Sequence, residues 1–88
     1  MVRRQREQSY KKNYNITLEE VEEQGKFQDW LCVICGRDIS NRFHVDHNHE
    51  TGQFRGLLCF NCNVGLGNFR DSITNLIRAA EYLQNFEN

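Results

Sequence analysis

The sequence predicts an α+β fold in which one short β-hairpin lies among three helices. Residues 42–59 indicate the hairpin, because they form two strand-like segments around the turn ETGQ, the second of them FRGLLC. Helices are indicated on both sides, by the capped segment TLEEVEEQ and by the periodic segment ITNLIRAAEYL. With 88 residues the chain can bury one small core, so we expect a metal or a partner to add to its stability.

The first helix is predicted from its N-terminal signal. Thr17 is a good N-cap, and Glu20 three residues later completes a capping box. The helix is expected from Leu18 to about Gln24, because Gly25 weakens its continuation. Three apolar residues beyond it are expected to pack against the first cysteine pair: Phe27, Trp30 and Leu31.

Two more helices are predicted after Cys59. The segment FNCNVGLGNF indicates a short helix that stops near Gly65 to Gly67, and Asp71 or Ser72 is expected to cap a final helix. Apolar residues recur along that helix at helical spacing and are expected to face the core. They are Ile73, Leu76, Ile77, Ala80 and Leu83. Tyr82 and Phe86 are alternatively available for a dimer contact.

The four cysteines form two Cys-x-x-Cys pairs, Cys32 with Cys35 and Cys59 with Cys62. This spacing is typical of two knuckles that share one tetrahedral zinc ion. Disulfides would suit a secreted chain, whereas a redox dithiol is expected with a βαβ pattern, which this sequence lacks, and would not need two pairs. We therefore predict a structural zinc whose closed shell of four thiolates leaves no position for substrate.

Charge is unevenly distributed, although the formal net charge is only −1. Residues 1–13 form a basic N-terminal arm, compatible with phosphate contacts or with a solvated terminus. The remaining domain, residues 14–88, opens with the acidic segment TLEEVEEQGKFQD. Because the arm lacks the apolar core of a secretory signal and no apolar run could cross a bilayer, we expect a cytoplasmic protein without a membrane partner.

All three histidines fall in the stretch HVDHNHETG, between the two cysteine pairs. Asp46 in this stretch and Asn63 after the last cysteine offer an anionic and a neutral oxygen, which suit a magnesium or manganese ion that keeps waters and substrate phosphate. His47 could then take a proton from water, since its ordinary pKa leaves much of it neutral at physiological pH. The pattern indicates phosphodiester hydrolysis.

One geometric obstacle accompanies this interpretation. On a regular strand the side chains of Asp46 and His47 point to opposite faces. Both can serve one phosphate only if the strand ends or bulges at this point. The run DHNHETG is poor in β-branched residues and leads into a turn, which permits such a break.

The whole pattern, CVICGRD followed by HVDHNHETGQFRGLLCFNCNVGLGNF, resembles the recombination endonuclease VII family of phage-type HNH nucleases. The resemblance extends to YNITLEEVEEQ upstream and LIRAAEYL downstream, and so covers roughly residues 14–84. It implies a zinc-stabilised ββα-metal (HNH), treble-clef-like domain that cleaves or nicks DNA, leaving a 5′-phosphate and a 3′-hydroxyl. A phage-encoded member would act in the cytoplasm of its host.

The resemblance also implies roles for single residues. Asp46 and Asn63 match the ligands of the catalytic Mg or Mn ion, and His47 matches the general base. His49 matches a second catalytic histidine, set against the scissile phosphate. Two more residues are assigned to substrate binding: Arg55, which is expected to meet a phosphate or to pack on the hairpin, and His44, which is alternatively a supporting residue. The four cysteines match the structural zinc ligands.

Other functions remain open beside the endonuclease. One is a non-catalytic zinc module that binds nucleic acid or a protein partner. Another is a zinc hydrolase site built from His44, His47 and His49. A homodimer, and phage packaging or recombination proteins, are open as partners besides DNA. Junction-resolving members of the family carry an additional C-terminal portion, so resolution of Holliday junctions is not carried over from the resemblance.

Overall fold

The structure, a computed structural model, describes residues 16–87. The described chain contains helices α1 (Leu18–Phe27), α2 (Phe60–Asn68) and α3 (Ile73–Glu87), and strands β1 (His44–His47) and β2 (Phe54–Leu58). The two strands pair antiparallel. The predicted α+β class is confirmed, with three helices and a two-stranded sheet. The predicted basic arm, residues 1–13, lies outside the described residues.

Helix α1 begins at the predicted capping box. The Thr17 hydroxyl accepts a hydrogen bond from the Glu20 N–H at 3.1 Å, and the Glu20 carboxylate accepts one from the Thr17 N–H at 2.9 Å. These two bonds satisfy donors that an uncapped helix would leave without partners.

The end of α1 differs from the prediction. The helix continues past Gln24 through Gly25 to Phe27, and the ring of Trp30 lies against Gly25 so closely that a Cβ there would collide with it. Close packing therefore outweighs the weak helix propensity of glycine. Of the three apolar residues expected at the first cysteine pair, only Trp30 packs on the core. Phe27 is 85% exposed because it lies off the buried face of α1, and Leu31 is also exposed.

The side chain of Gln28 joins the end of α1 to strand β2. Its Oε1 accepts a hydrogen bond from the Leu57 N–H at 2.9 Å, and its Nε2 donates to the Leu57 carbonyl at 3.0 Å. The same Nε2 donates to the Leu31 carbonyl at 2.8 Å. The amide thus takes the place that a neighbouring strand would occupy beside Leu57.

The core is small and lies between α1, the hairpin and the cysteine pairs. Its buried members are Ile16, Val21, Cys32, Ile39, Leu57, Leu58 and Cys59. None of them comes from α3, so the prediction that the stripe of α3 faces the core is wrong. Ile73 is 73% and Leu83 57% exposed. The apolar residues of α3 recur at helical spacing and therefore lie on one face, but no described element covers that face.

Helix α3 is capped by Ser72, one of the two predicted caps. The Ser72 hydroxyl accepts a hydrogen bond from the Asn75 N–H at 3.1 Å. Tyr82 and Phe86 contact each other, with ring centroids 5.4 Å apart; their use in a dimer stays a prediction. Within residues 16–87, α3 and the other helices are too short or too polar to cross a bilayer.

Candidate active site

Four cysteine side chains meet beside the start of α2. The Sγ atoms of Cys32, Cys35, Cys59 and Cys62 all lie within 4.8 Å of one another. Those of Cys35 and Cys59 are 3.7 Å apart. Across residues 16–87, no other group of three or more cysteine, histidine or acidic side chains brings its ligand atoms so close. Four sulfur donors at this spacing can hold a tetrahedral zinc ion.

The first cysteine pair is held in a tight turn. The Cys32 N–H donates to the Arg37 carbonyl at 2.8 Å, and the Gly36 N–H donates back to the Cys32 carbonyl at 3.0 Å. Gly36 has φ +77°, a left-handed conformation that glycine adopts without strain from a Cβ. The turn therefore orients two thiols towards the second pair.

The thiols of this cluster differ in their pKa values. Burial opposes ionisation of Cys32, but hydrogen bonds from the backbone of Cys35, Cys59 and Ile34 outweigh it and lower the pKa to about 6. Burial raises the pKa of Cys62 to about 12, and the neighbouring thiols add to the rise. Because burial and the neighbouring thiols oppose ionisation of Cys62, all four cysteines can be thiolates together only around a cation. A zinc ion fits this requirement.

The second cysteine pair opens helix α2. Cys59 is its N-cap, and its Sγ accepts a hydrogen bond from the Cys62 N–H at 3.4 Å. The Asn63 N–H donates to the Cys59 carbonyl at 3.0 Å, so Asn63 lies in the first turn of the same helix. The helical turn that carries Cys59 and Cys62 therefore carries Asn63 as well.

The side chains of Asp46, His47, His49 and Asn63 line one cleft between the hairpin and α2, which we call the hairpin cleft. Its volume is about 360 Å³. The sequence predicted that these residues act together, and the fold places all four around this cleft. Asn63 reaches it from α2, whereas the other three come from the end of β1 and the loop that follows.

An irregularity of the hairpin lies at the Asp46 and His47 positions. Asp46 pairs with Gly56, but His47 pairs with Phe54, so β2 carries one extra residue, Arg55, between the paired positions. Strand β1 also ends at His47. A bulge of this kind bends the strand and re-aims side chains. The break that the sequence required is therefore present, with the extra residue on the return strand.

The guanidinium of Arg55 links the carboxylates of Asp46 and Asp71, which both line the hairpin cleft. Its Nε donates to Asp46 Oδ2 at 2.7 Å, and its Nη2 donates to Asp46 Oδ1 at 3.0 Å. Its Nη2 also donates to Asp71 Oδ2 at 3.1 Å. The pKa of Arg55 is raised, first by the hydrogen bond to Asp46 and then, against the effect of burial, by Asp71. The Asp46 side chain is only 12% exposed.

His47 and His49 both line the hairpin cleft, and their rings are in contact. Their ring centroids are 4.8 Å apart, in an edge-on arrangement. The pKa of His47 is lowered, first by burial and then by the charge of His49, while Asp46 partly opposes the shift. A lowered pKa keeps His47 neutral over more of the pH range, as a proton acceptor requires.

His44 does not reach the hairpin cleft. Its ring lies 5.6 Å from the ring of Phe60, and its buried Nε2 has no hydrogen-bond partner in the part of the chain that the structure describes. The three histidines therefore do not converge on one point. A neighbouring cleft of about 560 Å³, which we call the arginine cleft, includes His49, Arg55, Arg70 and Asp71 in its lining.

The model of the family described as recombination endonuclease VII matches residues 7–85. The chain belongs to the recombination endonuclease VII family. It is similar to the Gene 59 protein of Mycobacterium phage L5, with 47% identity over 75 residues that cover 82% of this chain and 46% of that protein. The Gene 59 protein of Mycobacterium phage D29 is also 47% identical, over 74 residues that cover 81% and 45%. The chain thus spans about half the length of these relatives.

One residue of the cleft was missed by sequence reasoning in this recombination endonuclease VII family member. Asp71 was considered only as a cap for α3, whereas the structure gives that task to Ser72 and places Asp71 against Arg55. The available signal was redundancy, because two adjacent residues, Asp71 and Ser72, could each cap one helix and only one was needed.

Proposed function

We propose that this chain is a metal-dependent DNA endonuclease of the HNH type, with a ββα-metal, treble-clef-like domain that hydrolyses phosphodiester bonds. The observation that carries the proposal is the hairpin cleft, where Asp46, His47, His49 and Asn63 come together beside the cysteine cluster. Membership of the recombination endonuclease VII family supports a nuclease, with DNA as its substrate. Because the similar proteins come from two mycobacteriophages, we place its action in the cytoplasm of a host cell.

The donors of the hairpin cleft fit a hard divalent ion, Mg or Mn. Asp46 offers a carboxylate oxygen and Asn63 a carboxamide oxygen. An ion such as Mg²⁺ usually binds only one or two protein ligands, because water and substrate phosphate fill its other positions. When bound, such an ion stabilises the charge that develops on the phosphoryl and leaving oxygens. Arg55 contacts the same carboxylate, so an ion that binds Asp46 does so beside this guanidinium.

His47 is the proposed general base. It lies next to Asp46 in the chain and lines the same cleft, and its lowered pKa favours the neutral imidazole that can accept a proton from water. We assign the contact with the phosphate to His49 and Arg55, since both line the arginine cleft, which shares His49 and Asp71 with the hairpin cleft. By family, the products are a 5′-phosphate and a 3′-hydroxyl.

The zinc ion is proposed to support catalysis indirectly. Asn63 follows a zinc ligand directly and lies in the helical turn that Cys59 caps. Binding of zinc to the cysteine cluster therefore fixes the start of α2 and, with it, the direction of the Asn63 carboxamide.

The test is nicking of supercoiled plasmid by the zinc-loaded protein with added magnesium or manganese. We expect nicking that requires the added magnesium or manganese, that Asp46→Asn and His47→Ala reduce at least a hundredfold, and that Asn63→Ala weakens. Asn61→Ala is the matched control, because Asn61 is an exposed residue of the same helix and does not line the hairpin cleft. DNA binding without cleavage under any divalent ion would instead support a non-catalytic zinc module.

A further inference from the structure

Two cationic groups compete for the Asp46 carboxylate in the hairpin cleft: the Arg55 guanidinium and the proposed divalent ion. Arg55 contacts Asp46 through both carboxylate oxygens, at 2.7 Å and 3.0 Å, and the proposed divalent ion would use the same oxygens. The pair is partly shielded from solvent, with 34% of the Arg55 side chain and 12% of the Asp46 side chain exposed. Two cations that share one shielded carboxylate repel each other, so binding of the ion must weaken the hold of Arg55.

The Arg55 guanidinium also contacts a second carboxylate, that of Asp71. Asp71 Oδ2 accepts a hydrogen bond from Nη2 of Arg55 at 3.1 Å. Asp71 lies where α2 turns into α3, and its N–H donates to the Leu66 carbonyl at 2.9 Å. Ser72 caps α3, which leaves the Asp71 carboxylate to Arg55.

The backbone at this point is held in an uncommon conformation. Arg70 and Asp71 both have positive φ, +54° and +57°, although neither is glycine. Consecutive non-glycine residues rarely adopt this conformation, and surrounding contacts must hold them there. The turn thereby places Asp71 in the lining of both clefts.

We propose that Arg55 occupies Asp46 until a divalent cation binds, and that Asp71 is the positioning residue that retains Arg55 in the cleft when the cation takes Asp46. This inference rests on the proposed function, since it assumes the ion at Asp46. After the exchange, the guanidinium stays between the two clefts, where a DNA phosphate can meet it. Arg55 is thus both a competitor of the cation and a substrate contact.

The inference predicts opposite effects of two substitutions on cation affinity. In Arg55→Gln the competitor is lost, so Mn²⁺ should bind roughly three- to tenfold more tightly, while cleavage falls because the phosphate contact is lost. In Asp71→Asn the alternative anchor is lost, so Arg55 should hold Asp46 more firmly and Mn²⁺ should bind more weakly by a similar factor.

The experiment is titration of the zinc-loaded chain with Mn²⁺, in which electron paramagnetic resonance measures the free ion without any need for cleavage. Arg70→Gln is the matched control, because Arg70 lines the arginine cleft with the same charge but makes no bond to Asp46. If Arg70→Gln tightens Mn²⁺ binding as much as Arg55→Gln, the general field explains the effect and the inference is overturned.

Two further variants complete the design. If Asp71 acts through Arg55, adding Asp71→Asn to Arg55→Gln should change Mn²⁺ affinity no further; an additive loss would overturn the inference. Asp46→Asn should abolish the site. Persistent Mn²⁺ binding in Asp46→Asn contradicts the proposed function itself, whereas loss of binding there with unchanged affinity in Arg55→Gln contradicts only the competition by Arg55.

Discussion

The side-chain amide of Gln28 and the backbone of Leu57 exchange two hydrogen bonds, although the two residues lie 29 positions apart. Leu57 is fully buried, so its N–H has no access to water if this amide is removed. We expect Gln28→Ala to lower the free energy of unfolding by about 1–3 kcal/mol, the cost of leaving a buried group without a partner. Urea unfolding at a fixed free zinc concentration measures this. Gln53→Ala is the control, since the Gln53 side chain is exposed; equal losses in both variants would contradict the role of Gln28.

Gly25 is predicted to tolerate no side chain. Because a Cβ at this position would collide with the ring of Trp30, Gly25→Ala should destabilise the domain by about 1–3 kcal/mol, despite the better helix propensity of alanine. Gly65→Ala is a matched control within α2, where a Cβ would meet nothing within 4 Å. That substitution should stabilise the domain by up to about 1 kcal/mol. Thermal unfolding of the two variants should therefore shift in opposite directions.

Two leucines should respond differently to truncation. Leu57 is 0% and Leu83 57% exposed. Leu57→Ala should cost about 2–5 kcal/mol of unfolding free energy, because it leaves a cavity in a small core. Leu83→Ala should change it by less than about 0.5 kcal/mol, as expected of an exposed position. A large loss in Leu83→Ala, measured on dilute protein by urea unfolding, would show that α3 is covered in solution.

Loss of a zinc ligand should unfold the domain. Cys59 is buried and caps α2, so Cys59→Ser removes a thiolate from the cluster and leaves the start of the helix without its metal anchor. We expect loss of bound zinc, measured by elemental analysis, together with loss of helical circular dichroism. Wild-type protein stripped by a chelator should show the same loss and recover when zinc is returned. Retention of the fold in zinc-free protein is the contrary result.

The pH dependence of cleavage should follow the neutral form of His47. Its pKa is lowered from 6.5, first by burial and then by the charge of His49, and a bound cation nearby would act in the same direction. The neutral fraction rises with pH, so the single-turnover rate should rise with pH and reach half its maximum below pH 6.5. A rate that falls with rising pH, or that reaches half its maximum well above 6.5, would count against His47 as the base.

Local patterns in the sequence sufficed for much of the fold. The capping box of Thr17 and Glu20, the hairpin and the paired cysteines depend on residues close in the chain or on the fixed requirements of a metal, and the structure has all three. The gathering of Asp46, His47 and Asn63 around one cleft was also foreseeable, because the cysteine pairs bring the hairpin and α2 together.

Features that depend on distant parts of the chain were not foreseeable. Helical spacing shows that α3 is amphipathic but not what its apolar face meets, so its exposure had to come from the structure. Gly25 was interpreted from its propensity, whereas its role is set by the Trp30 ring. The bond between Arg55 and Asp71 joins residues 16 positions apart. It depends on a turn in which Arg70 and Asp71 have positive φ, a conformation that their residue types do not predict.

The bulge at Arg55 has a consequence for engineering. Deleting Arg55, the extra residue of β2, would make the hairpin more regular, because Asp46 and His47 would then pair evenly with successive residues of β2. In the resulting regular hairpin, the side chains of Asp46 and His47 would point to opposite faces, so one of them would leave the hairpin cleft. Regularity and the proposed activity are therefore competing goals in this hairpin, and a more stable variant should cleave DNA less well.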